Sequence, residues 1–172
     1  MQTADMLAWT LQAVWPLNGV YGDQLTADLT NDQAIAQPRV GGELAVNHPA
    51  WVLSHLCAYH PVIVKLLAGG TPDDPLHHRY GMKSRPVPDA SAYLPIDELR
   101  AQFIDGHDQV QAALDAATPE VFEAAMPVER WAAKFPRVGL MLPYLLIRHE
   151  ALHLGQVSAW RRVQGLPATK AS

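Results

Sequence analysis

The stretch from Leu142 to Val163, LPYLLIRHEALHLGQVSAWRRV, constrains this chain more than any other. Read as a helix, it puts Leu142, Leu146, His149, His153, Gln156, Trp160 and Val163 on one face. The steps alternate between four and three residues, the spacing of a bundle seam. Three polar side chains therefore stand in the middle of an apolar stripe. His149 and His153 lie one turn apart on the same side, so two imidazoles can point at one ion. A buried polar group costs free energy unless it finds a partner, and a metal is one such partner. Core histidines bonded to protein groups fit the same spacing, and the motif alone does not choose.

A length of 172 residues fits one domain over 1–172 with a sizeable core. Apolar residues at 49% and charged residues at 17% make it globular rather than disordered. The net charge of -4 gives no footprint for nucleic acid. Cys57 is the only cysteine, which rules out an intramolecular disulfide and fits a reducing cytoplasm. No secretory leader opens the chain and no apolar run reads as a membrane span, so a soluble cytoplasmic protein without a membrane partner is expected.

In chain order, residues Thr3 to Leu29 predict a first helix with Leu7, Leu11, Val14, Asn18, Tyr21 and Leu25 facing in. Pro16 predicts a bend, and Gly19 and Gly22 weaken the helix. Thr30 to Val46 reads as a connection. A second helix opens at Asn47-His48-Pro49, with His48 as its cap, and ends at Gly69-Gly70. Its inward stripe is His48, Val52, His55, Tyr59, Val62 and Leu66, and Pro61 predicts a kink after Cys57. The proline-rich Thr71 to Tyr93 is a long crossover carrying His77 and His78. A third helix spans Pro95 to Ala117, with Phe103 and His107 among its inward residues. A short turn follows to Ala125, then a loop from Pro127 to Arg137 bearing Trp131 and Phe135, then the last helix to Gln164. No segment reads as a strand. The expectation is an all-α chain, a four-helix bundle.

His55 is the natural third ligand beside His149 and His153, because it sits in mid-stripe on a facing helix. Three neutral imidazoles leave a coordination position open, the catalytic arrangement of zinc; nickel, iron and manganese are alternatives. The other polar residues each have a plainer reading. His48 caps a helix. His107 is a core or rim histidine. Tyr59 packs with its hydroxyl paired, or lines the site. Gln156 bonds backbone, or steadies a ligand. Cys57 is a small buried hydrophobe. Arg161 and Arg162 form a solvated face near a helix end. Trp51 and Trp160 are core anchors.

The segment HEALHLGQVSAWRRVQGLP resembles the last helix of the DinB/YfiT-like superfamily, with its His-x-x-x-His-x-Gly-Gln pattern and Gly-stopped, Arg-rich end. NHPAWVLSHLCAYH resembles the second helix of that family, where a His-Leu pair, here His55-Leu56, carries the first metal ligand. The resemblance implies an up-down-down-up bundle with long crossovers and a divalent metal, often nickel or zinc, on His55, His149 and His153. It also implies a homodimer. Relatives include transferases and isomerases that use low-molecular-weight thiols such as mycothiol, bacillithiol or glutathione. On that reading a substrate thiol loses its proton at the metal and becomes the nucleophile. Gln156 and Tyr59 orient ligands or substrate, and His48 accepts a proton at the mouth. The alternatives are a metal-binding stress or sensor protein without turnover, and a plain bundle with structural histidines.

Overall fold

Helical spacing dominates the sequence, and the computed structural model, which describes residues 3–44, 46–167 and 169, is mostly helical. The chain runs α1 (Thr3–Thr26), α2 (Asn31–Ile35), strands β1 (Arg39–Val40) and β2 (Glu43–Leu44), then α3 (Pro49–Leu67) and α4 (Ile96–Ala116). Short α5 (Pro119–Glu123) and α6 (Glu129–Ala132) lead into α7 (Val138–Pro143), a π-helical turn (Tyr144–His149) and α8 (Glu150–Val163). Both α1 and α3 pack against α4 and against α8. The expected all-α class holds. The strand pair is an addition that the sequence reading did not make. Gly41 and Gly42 both have positive φ, 61° and 89°, and such a pair forms the tight turn that joins two antiparallel strands.

The first helix is uninterrupted through Pro16 and ends before the expected Leu29. Of the predicted stripe it buries Leu11 and Leu25, while Leu7, Val14, Asn18 and Tyr21 are half-buried and Ala4, Trp15 and Gly22 are buried beside them. Its glycines explain the difference. A Cβ on Gly22 would stand 2.5 Å from the Phe103 ring, and one on Gly19 would stand 2.7 Å from His107 Nδ1. Here α4 lays its rings directly against the α1 backbone. The glycines are contact points, not merely weak helix formers.

His48 caps α3 as expected: its Nδ1 accepts the Trp51 N–H at 3.2 Å, and Pro49 takes the first helical position, where no donor is needed. The helix continues through Pro61 to Leu67. It is 19 residues long with a mean hydropathy of 1.3, enough by length and composition to cross a membrane, contrary to the expectation that no run reaches that character. In this fold 78% of that stretch is buried by protein, which explains why it is apolar on all sides.

The last helical segment departs from a regular seam. Pro143 has no N–H to offer the Gly139 carbonyl, and the next turn is the wider π type. Past it, α8 buries Glu150, Leu154, Val157 and Arg161 alongside His153 and Trp160. Val163, placed inward by the simple seam, is 49% exposed.

Arg161 corrects the sequence reading. It is not on a solvated face but 3% exposed, while Arg162 is exposed as expected. Its guanidinium donates to both Asp28 carboxylate oxygens, at 2.6 and 2.8 Å, and to the carbonyls of Leu25 and Pro167. This ties the end of α8 to the end of α1. Arg161→Ala strands the buried Leu25 carbonyl and is expected to cost about 2–3 kcal/mol in urea unfolding, whereas Arg162→Ala should change little.

Candidate metal centre

His55, from the middle of α3, meets His149, the last residue of the π turn, and His153, in the first turn of α8. One ring nitrogen of each lies within 4.8 Å of the others. The ring centroids are 4.6 to 5.1 Å apart. The structure thus gathers the three histidines singled out as ligands.

Hydrogen bonds set the tautomers. His55 Nδ1 lies 2.5 Å from the Tyr80 carbonyl, which can only accept, so Nδ1 carries the proton and Nε2 presents a lone pair. That Nε2 faces His149 Nε2 at 3.1 Å. Two nitrogens bound to one ion at about 2.05 Å with tetrahedral angles would stand about 3.3 Å apart, so this spacing fits a shared ion. His153 Nδ1 donates to Gln156 Oε1 at 3.2 Å, and Asn47 Nδ2 donates to the same oxygen at 3.0 Å. Gln156 therefore fixes the His153 ring and leaves its Nε2 bare. Trp51 stacks on His55 at 4.8 Å and holds its plane.

Burial favours neutral rings, the form that ligates. It pushes His55 down to about 4, with the His153 ring adding to the effect, and pushes His149 down to about 3. His153 is lowered for the same reason, against the opposing bond from Gln156. The donor set suits zinc, nickel, iron or manganese.

The three rings line one wall of a cavity of about 390 Å³. Tyr59 also lines it, 4.8 Å from the His149 ring, and burial raises its phenol. The rest of the lining was not legible in the sequence. Arg130, Trp131, Lys134 and Phe135 enter from α6 and the loop after it, and Tyr144 from the π turn. Arg130 donates twice to Asp74, at 2.7 Å each, which fastens this loop to the crossover. A mixture of cations and aromatics in one irregular loop was the available signal, but no periodicity aimed it at the site.

His48 lies elsewhere. It is fully buried and does not line the cavity. With Nδ1 engaged at the cap, its Nε2 donates to Val87 O at 3.1 Å, so both nitrogens are used structurally. The expected proton acceptor at the mouth is absent from that place. His77 and His78 are exposed in the crossover. Burial pushes the Cys57 thiol up to about 12, which favours the protonated form.

Fold and site together define a helical protein with a candidate three-histidine metal centre. The family model of the DinB superfamily matches residues 23–157, and the chain belongs to that superfamily. No curated protein and no solved structure gives a match.

Proposed function

We propose that this chain is a divalent-metal-dependent enzyme that transfers or isomerises a small electrophile with a low-molecular-weight thiol. One observation carries the metal half of the reading: bare imidazole nitrogens converge on a cavity large enough for a small substrate. The thiol half rests on the family. His55, His149 and His153 hold the ion, nickel or zinc by preference, and Gln156 steadies His153. A divalent ion there acidifies a coordinating thiol. The protein residues do the rest. Lys134 offers positive charge to a carboxylate-bearing thiol, while Trp131 and Phe135 present apolar surface to the electrophile. Tyr59 orients substrate beside His149. The test is turnover of an electrophile by untagged protein with mycothiol, bacillithiol or glutathione, before and after chelation. Turnover that chelation abolishes supports the reading. Bound metal without turnover leaves a metal-binding sensor protein, and no metal leaves structural histidines.

The same reading gives the long helices an up-down-down-up bundle arrangement in a single domain, and the protein a cytoplasmic setting. It also includes a homodimer. Met6, Trp9, Leu17 and Val20 lie on one outward face of α1 and are each more than half exposed, from 52% to 66%. Light scattering should give twice the monomer mass, and Trp9→Glu with Leu17→Glu should halve it. A monomer at high concentration removes this part.

A further inference from the structure

A second cluster lies outside the cavity. His60 of α3, His107 of α4 and Glu150 of α8 each bring one ligand atom within 4.8 Å of the others. None of them lines the cavity described above. His60 and His55 are five residues apart, so they leave α3 on different faces; Glu150 and His149 are adjacent and diverge by about 100°. The same two helices therefore present ligand-type groups in two directions, and α4 completes the second set.

All three side chains are buried, at 4%, 5% and 2% exposure. His107 Nε2 is hydrogen-bonded to Glu150 Oε1. Among the described residues, neither His60 nitrogen has a hydrogen-bond partner, nor does His107 Nδ1. Buried polar atoms without partners are rare, so an orphaned imidazole beside a carboxylate calls for an explanation. The neighbours make room for these rings specifically. A Cβ on Gly106 would stand 2.0 Å from His60 Nδ1, and Gly19 opens the matching notch for His107. Trp15 stacks on His107 at 3.9 Å, and Phe103 packs at 4.6 Å. A buried cluster of two imidazoles and one carboxyl group is a donor set for a dication, which would take up the His60 lone pair and balance the carboxylate.

We propose that His60, His107 and Glu150 bind a second divalent transition-metal ion, one that cross-links α3, α4 and α8. This site stands independently of the thiol chemistry proposed for the cavity. Burial lowers His60 to about 4 and His107 to about 3, which keeps both rings in the ligating form.

The experiment loads chelator-stripped full-length protein with zinc(II) or cobalt(II) and counts bound metal. The wild type should hold two ions per chain. The His149→Ala/His153→Ala variant should hold one, and adding Glu150→Gln should remove it. Glu150→Gln alone should hold one ion, with the cavity site intact. A wild type holding a single ion that Glu150→Gln does not release overturns the proposal, and so does a His149→Ala/His153→Ala variant that holds none. Where a variant fails to fold, anomalous scattering from a cobalt-soaked wild-type crystal decides. A peak among His60, His107 and Glu150 supports the site, and a peak confined to His55, His149 and His153 overturns it.

Discussion

Replacing His55 or His149 with alanine should weaken metal binding at the cavity by more than ~100-fold, since loss of a mere supporting hydrogen bond already costs about 10–100-fold. The measurement is competition of zinc or nickel against a chromophoric chelator, made in a Glu150→Gln background so that only the cavity site reports. The effect is large because two of the three donors are held in the ligating tautomer. Tyr80 holds His55 in its ligating tautomer, and Gln156 does the same for His153. Removing one ring leaves two nitrogens, and no other described group is gathered with them. Gln156→Ala should fall in the lower range, because it frees the His153 ring without deleting it. His77→Ala and His78→Ala should have no effect, since both side chains are exposed in the crossover. His48→Ala should retain the metal while costing about 1 kcal/mol of stability through the lost cap. Full metal retention in every single variant would show that the cluster is a set of core histidines.

Acid should unfold the metal-free protein steeply. His55 and His60 are lowered to about 4, and His107 and His149 to about 3, in each case mainly by burial, from an ordinary value of 6.5. The sign follows from proton uptake. Below pH 6.5 the unfolded chain protonates these rings while the folded chain keeps them neutral. The stability they contribute is therefore complete above pH 6.5 and is lost as pH falls toward about 4. Each ring contributes a slope approaching about 1.4 kcal/mol per pH unit, so the four together approach about 5 kcal/mol per unit. That is comparable to the whole stability of many domains. Glu150 acts in the opposite direction. Burial holds its carboxyl well above the usual range, so its contribution weakens as pH rises from its unfolded value, which softens the net slope. Urea midpoints measured after chelation should drop sharply between pH 6.5 and 5. Saturating metal should move the transition to lower pH, because it binds only the folded chain. The ordinary histidine value would have metal leaving near pH 6.5; burial lowers all three ligand rings and so shifts proton competition in the folded chain to more acidic pH. A stability flat from pH 7 to 5 would mean that these rings are not buried neutral.

Much of this protein is determined by local sequence. Apolar spacing produces the helices, Pro49 and His48 start α3, and the glycines end it. The His149–His153 spacing places two rings on one face whatever else packs nearby, and a mid-helix His55 supplies a third within reach. Tertiary structure decided the rest. The π turn at Tyr144–His149 widens the register by a fraction of a turn, and a regular seam has no term for that. Past it Glu150 and Arg161, charged residues that sequence alone sends to the surface, come to lie inside against His107 and Asp28. Each of these buried ionisable groups is held there by a partner 43 or 133 residues away, so nothing in its own helix announces it. The crossover and the loop around α6 are irregular, and only their docking shows that they deliver Tyr80 to His55 and Lys134 to the cavity. Periodicity reports which face of a helix is buried. It does not report what meets that face, because the meeting is set by packing between distant segments.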